Sequence, residues 1–227
     1  MSDSGSFSIN RSSLGGDGAF ALKSFGLDEV VFAENPLYCQ QTLNNKQDIL
    51  ACAQCHAFLG DINLQLDILL RIRDRQNVGD SLCCCSNSCG EFYCSHSCRH
   101  QHWTQSHQLL CTGDIPDELA ADHPLIRFKT HAVETNEVFL LVADVFSQLI
   151  SRHDSGLISI EQSLLLFRSY MHSIWWDVVT VPDDRDPVEF KHVLQTIASE
   201  SYSLLSEALR LKEKRIDHLL SLDFMAR

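Results

Sequence analysis

Seven cysteines and one histidine between Cys52 and Cys111 stand in four short-spaced pairs: Cys52/Cys55, Cys85/Cys89, Cys94/Cys98 and His107/Cys111, with gaps of two, three, three and three residues. Thiolates and imidazoles bind Zn²⁺ in fours, and each short gap lets one turn of backbone present two side chains to the same ion. Eight such ligands make two tetrahedral centres. Each would be closed, with four protein ligands and no position for water or substrate, so the zinc is structural rather than catalytic. Spacing leaves two choices open: Cys83 and Cys84 adjoin Cys85, and His102 competes with His107. His56, His96 and His100 read as solvated surface histidines, and Cys39 as a spare thiol.

These ligands need a scaffold, and composition allows one. A chain of 227 residues with 44% hydrophobic and 21% charged residues can bury a core in one or two domains. The opening Met1-Ser2-Asp3-Ser4 carries no basic or apolar signal, and the longest apolar stretch, 138–150, is interrupted by Asp144 and Gln148 and is too short to span a bilayer. The expectation is a soluble protein, nuclear and/or cytoplasmic, with no membrane partner. In that reducing compartment ten cysteines serve metal rather than disulfides. Formal net charge is −12, from 18 Lys and Arg against 30 Asp and Glu. The densest basic cluster, Arg71, Arg73 and Arg75, is surrounded by Asp67, Asp74 and Asp80. A phosphate backbone would be repelled, so the expected partner is a protein and not a nucleic acid.

The pattern along the chain is α+β. Residues 1–15, rich in Ser, Gly, Asn and Asp, read as a disordered tail. Short strands follow at 19–22 and 30–33, the second ended by Pro36, and 38–42 can form another extended segment. Between Cys55 and Cys85, the alternation Ile62, Leu64, Leu66, Ile68, Leu70 and Ile72 fits a half-buried strand, whereas Ile62, Leu66, Leu69 and Arg73 fit a helix face; periodicity leaves both open. Gly79-Asp80-Ser81 reads as a turn. Beyond Cys111 the character is helical. Thr135 or Asn136 caps a helix with Val138, Leu141, Val145, Phe146, Leu149 and Ile150 on its apolar face. Ser159 with Gln162 makes a capping box, and Pro187 suits the first position of a helix carrying Phe190, Val193, Leu194, Ile197, Leu204, Leu205 and Leu209.

The segment from Cys85 to Cys111 reads CSNSCGEFYCSHSCRHQHWTQSHQLLC. Its Tyr-Cys-Ser-x-x-Cys, the Trp five residues on and the His-x-x-x-Cys resemble a MYND zinc finger. That resemblance implies cross-bracing: Cys52, Cys55, Cys94 and Cys98 hold one zinc, and Cys85, Cys89, His107 and Cys111 the other. The three-residue gap in Cys85/Cys89 departs from the commonest pattern, which has two. Upstream, Gly16-Asp17-Gly18-Ala19-Phe20-Ala21-Leu22-Lys23 and Glu29-Val30-Val31-Phe32-Ala33-Glu34-Asn35-Pro36 resemble the opening strands of a SET domain. Trp175-Trp176-Asp177 followed by Pro182-Asp183-Asp184 resembles the plant trithorax-related members of the SET and MYND family. The implied organisation is 16–48 as amino-terminal SET strands, 49–113 as a MYND-type finger with an insertion at 56–84, and 114–227 as a helical segment preceding the SET catalytic half.

In that family the activity is S-adenosylmethionine-dependent methylation of protein lysines, histones among them, and the Gly-x-Gly at Gly16 and Gly18 approaches the methyl donor. Asp17 departs from the often basic middle residue. Family catalysis uses an Asn-His-x-Cys segment and a downstream tyrosine. No Asn-His pair occurs here, and Tyr38, Tyr93, Tyr170 and Tyr202 all precede the place where the catalytic half would begin. The expectation is an amino-terminal, zinc-binding portion of a chromatin-regulating lysine methyltransferase, non-catalytic as this chain, with S-adenosylmethionine bound only if the full SET domain is present. The alternative is a stand-alone MYND adaptor for short proline-containing peptides of transcriptional or chromatin partners.

Overall fold

Gly15 and Gly16 take left-handed φ values of 106° and 66°, and there the amino-terminal chain reverses. The reversal joins β1 (Phe7–Arg11) to β2 (Asp17–Ala21) as an antiparallel hairpin, in register from Phe7 opposite Ala21 to Arg11 opposite Asp17. The computed structural model describes residues 5–34, 36–74, 78, 82–113, 115–165, 167 and 173–227. It divides into two units, Met1–Leu37 and Tyr38–Arg227. In the first unit, β1 lies where the sequence predicts a disordered tail, because its backbone finds a ladder partner in β2. The expected strand at 30–33 does not form: Val30, Val31 and Phe32 remain exposed. β-branched residues favour a strand only where a neighbouring strand can pair with them.

The second unit opens with α1 (Leu43–Asp48), capped by Thr42, whose hydroxyl accepts from Asn45 N at 3.3 Å. The expected extended segment at 38–42 is irregular chain. α2 (Ile62–Leu69) resolves the ambiguous periodicity in favour of a helix. Its start is local chemistry. The Asp61 carboxylate accepts from Leu64 N at 2.8 Å, and Gly60, at φ 72°, leaves room for Leu64, which a Cβ there would meet at 2.4 Å. Gly79, Asp80 and Ser81 lie outside the described residues. A two-residue ladder then pairs β3 (Cys83–Cys84) with β4 (Phe92–Tyr93). After it come α3 (His96–His102), a π-helical turn at Trp103–His107 and α4 (Gln108–Leu110).

A helical layer completes the unit: α5 (Asp117–Ala120), α6 (Pro124–Thr135), α7 (Val138–Asp154), α8 (Ile160–Leu164), α9 (Trp175–Val178), α10 (Pro187–Ala208) and α11 (Leu222–Met225). Where the sequence predicts one helix start near 135–136, the chain ends α6 at Thr135 and begins α7 at Val138, whose N–H donates to Asn136 Oδ1 at 3.0 Å. Ser159 and Gln162 form the reciprocal capping box. Pro187 opens α10, where Asp186 accepts from Val188 and Glu189 backbone N–H groups. The core takes one stripe from each long helix: Leu125, Phe128 and Ala132 of α6; Phe139, Ala143, Phe146 and Ile150 of α7; Leu194, Ala198 and Leu205 of α10. Each phenylalanine buried here contributes about 1.5–3 kcal/mol. A second, smaller cluster gathers Leu50, Leu59, Ile68, Phe92 and Tyr93 around the cysteines. Among the described residues, no helix is long and apolar enough to cross a membrane. Across the described residues the architecture is α+β, predominantly helical with two small antiparallel sheets.

Candidate metal centres

Two loops, one two-residue ladder and one helical arm bring eight side chains into two groups. Cys52, Cys55, Cys94 and Cys98 form the first; Cys85, Cys89, His107 and Cys111 form the second. Within each, the ligand atoms all lie within 4.8 Å of one another. Four atoms around one Zn²⁺ at ordinary bond lengths would sit about 3.8 Å apart for sulfur pairs and about 3.5 Å for sulfur and nitrogen. The observed distances fit: Cys55 Sγ to Cys94 Sγ 3.6 Å, Cys94 Sγ to Cys98 Sγ 3.4 Å and Cys85 Sγ to Cys111 Sγ 3.8 Å. His107 Nε2 lies 3.4 Å from Cys85 Sγ and 3.3 Å from Cys89 Sγ. Each group matches a closed tetrahedral donor set for a structural zinc ion.

Local backbone explains the spacings. Cys52 and Cys55 flank a tight loop in which His56 N donates to Cys52 O at 2.9 Å and His56 adopts φ 57°. Cys85 and Cys89 flank a second, with Ser88 N donating to Cys85 O at 3.1 Å and Ser88 and Gly90 at φ 55° and 84°. Cys94 precedes α3 and Cys98 sits in its first turn, behind the Ser95 cap, whose hydroxyl accepts from Cys98 N at 3.1 Å. The π-helical turn places His107, and Cys111 follows α4. A widened turn adds one residue per cycle and is a frequent device at functional positions. Neither of these pairs lies wholly within one α-helical turn.

Neighbouring residues sort out by position. Cys85, not Cys83 or Cys84, joins the second group; Cys84 is exposed, and Cys83 Sγ lies 3.4 Å from His96 Nδ1. His102 stays out of both groups. It stacks on His107 at 4.8 Å between ring centroids, and its Nδ1 is 3.0 Å from Tyr93 Oη. Trp103 is edge-on to His107 at 5.9 Å and packs against the small core. Cys39 is exposed.

Electrostatics differ between the groups. In the first, Cys52 is buried while Cys55 and Cys94 are exposed; in the second, Cys85 and His107 are buried. Burial, and after it His102, pushes the His107 imidazole down to about 4, which keeps it neutral and able to ligate at ordinary pH. Burial pushes the Cys52 thiol up, but backbone N–H groups of Cys55, Cys94 and Gln54 outweigh it and bring the thiol to about 7. Burial, then the neighbouring Cys94, holds the Cys98 thiol up at about 12. Burial also raises Cys89, with Cys85 and Cys111 adding to it. A divalent ion reverses that balance, since a coordinated thiol ionises.

Two residues absent from the sequence reading support the ligands. Gln65 of α2 accepts from Leu50 N at 3.1 Å and donates to Leu50 O and Leu59 O, tying the helix to the Cys52 loop. Lys129 of α6 donates to Leu110 O at 2.8 Å, beside Cys111. Neither carries a motif. Each is found only through partners at least six residues away.

Gly16 and Gly18 lie in the β1–β2 hairpin. A Cβ at Gly16 would meet nothing within 4 Å, and one at Gly18 would lie 3.2 Å from the Phe20 ring and 3.3 Å from Ser12 Cβ. Gly16 serves the turn with its positive φ, and Gly18 packs closely within the hairpin. Asp17, Ala19, Phe20 and Ala21 around them are exposed.

The fold and these groups define a class: an α+β chain with two closed thiolate and imidazole sets that fit two structural zinc ions. The chain is similar to the histone-lysine N-methyltransferase ATXR2 of Arabidopsis thaliana, 28% identical over 275 aligned residues that cover 87% of this chain and 57% of the relative. The alignment is longer than the chain, so the relative carries insertions within it. The chain spans little more than half the relative's length. No family model and no solved structure matches it.

Proposed function

We propose that this chain is the zinc-binding, amino-terminal part of a SET-type histone or protein-lysine methyltransferase, with a MYND-type finger in which Cys52, Cys55, Cys94 and Cys98 hold one zinc and Cys85, Cys89, His107 and Cys111 the other. The similarity to a histone-lysine methyltransferase across 87% of the chain supports this reading most directly. In it, zinc holds the finger together, and the finger and helices flank a catalytic half that supplies S-adenosylmethionine binding and the reacting groups. The 227 residues contain no Asn-His pair, so methyl transfer by them alone is not expected. Incubating the purified, zinc-loaded chain with labelled S-adenosylmethionine and histone H3 peptides tests this; label on the peptide would sink the non-catalytic part. Capture of the endogenous protein with an antibody raised after Gly113 tests the rest. A mass well above 25.7 kDa supports it, and a mass near 25.7 kDa favours a stand-alone adaptor.

The adaptor reading has one specific observation behind it. A cavity of about 310 Å³ beside the second ligand group is lined by Tyr93, His96, Arg99, His100 and Trp103. Such a half-open aromatic and basic groove suits a short proline-containing peptide of a nuclear protein partner. Failure of proline-rich peptides at millimolar concentration to shift resonances of Trp103 and its neighbours would remove this reading.

A further inference from the structure

The buried ligand group carries a charge that the protein itself must balance. Three thiolates and one neutral imidazole around Zn²⁺ leave one net negative charge, in a centre whose Cys85 and His107 are buried. Burying an uncompensated charge is strongly unfavourable. The four-cysteine centre, though more negative, has Cys55 and Cys94 open to water and needs no such partner.

Lys129 stands where the compensating charge is required. With Cys89 and His107 it lines a cavity of about 230 Å³ between the finger and α6. Its ammonium donates to the carbonyl of Leu110, the residue before the ligand Cys111, at 2.8 Å. Among the described residues, no carboxylate lies within 4.0 Å of it, whereas Lys46 on the same cavity pairs with Glu91. Burial acts against the Lys129 charge most strongly; Glu91, Cys89 and Cys111 act to retain it.

We propose that Lys129 is the counter-cation of the Cys85, Cys89, His107 and Cys111 zinc centre, a positioning residue through which α6 secures that ion selectively. The inference rests on the zinc reading above. Outer partners of a metal's ligands commonly set affinity by about 10- to 100-fold. Lysine does so here by neutralising the centre and by holding the Leu110 carbonyl, hence the backbone that carries Cys111.

The test is the rate at which a chromogenic chelator strips zinc from the full chain. The phase belonging to the buried centre is identified by its loss in Cys89→Ser. Lys129→Met should accelerate that phase about 10-fold and leave the other unchanged, while Lys129→Arg, which keeps the charge, stays near the wild-type rate. Equal acceleration of both phases, or Lys129→Arg releasing as fast as Lys129→Met, overturns the proposal. If Lys129→Met does not fold, cobalt-substituted Lys129→Gln and Lys129→Arg decide: the thiolate-to-cobalt absorption should move in the first and not in the second, and identical spectra overturn it. A wild-type chain holding fewer than two zinc ions overturns the zinc reading and this inference together. Two ions with an unchanged buried phase overturn this inference alone.

Discussion

At the scale of single residues, the eight candidate ligands are not interchangeable with the cysteines beside them. Cys89 lies 3.3 Å from His107 Nε2 inside the second group, while Cys84 is exposed and belongs to neither. Cys89→Ser should therefore reduce bound zinc from two ions to one per chain by elemental analysis, and Cys84→Ser should leave both. Retention of both ions in Cys89→Ser would show that another residue takes its place. Protons compete with zinc at the same atoms. The folded His107 titrates at about 4, below the ordinary imidazole value of 6.5. Between these values the unfolded chain binds the extra proton, so stability rises with pH across the window and is lost as pH falls from 6.5 towards 4. Zinc release and loss of near-ultraviolet signal should follow that direction, the reverse of what a histidine with a raised value would produce.

Elements act here by fastening the candidate ligand loops to the rest of the unit. α2 lies inside the 56–84 insertion, yet it is no decoration, since Gln65 satisfies the backbone of Leu50 and Leu59 on either side of Cys52. Leu50 is wholly buried, and a buried backbone group left without a partner costs about 1–3 kcal/mol. Gln65→Ala should lower stability by about that much, whereas Gln47→Ala, in the neighbouring α1 where Gln47 lends only its backbone carbonyl to Arg71, should change it by less than about 0.5 kcal/mol. Equal melting temperatures for the two variants would remove α2 from its supporting role. The strand propensity of 30–33 shows the converse: suitable side chains without a partner strand make no element.

Taken whole, Tyr38–Arg227 is one compact unit, and contacts cross the boundary at 113 that the family resemblance implies. The joins are specific. Lys129 reaches Leu110, Leu43 N donates to the carboxylate of Glu137, just before α7, at 3.0 Å, and Gln108 faces Ser151. From sequence, chelation is expected to unfold the finger and spare the helices at 123–215. With these contacts, removing zinc should also lower the melting temperature of the helical signal, because apparent zinc-binding energies of about 10–16 kcal/mol become folding energy of whatever is packed on the site. Identical helical melts with and without chelator would show that the two parts are energetically independent.

The spacing of the zinc-type ligand pairs and the starts of α8 and α10 were legible in the sequence because they are short-range. A Cys-x-x-Cys loop, the Ser159 to Gln162 capping box and Pro187 at a helix start all act within a few residues, so residue type and spacing carry them. Spacing alone does not say which pair meets which across the chain, why Cys85 rather than Cys83 or Cys84 turns inward, or why His107 displaces His102. Those outcomes depend on where the β3–β4 ladder and the π-helical turn aim their side chains. Gln65 and Lys129 were invisible for the same reason: hydrogen bonds to distant carbonyls leave no pattern in a linear sequence. The helix at 62–69 and the hairpin at 7–21 were settled by the partners available to them, since an apolar alternation or a polar tail acquires its structure from the surface it meets.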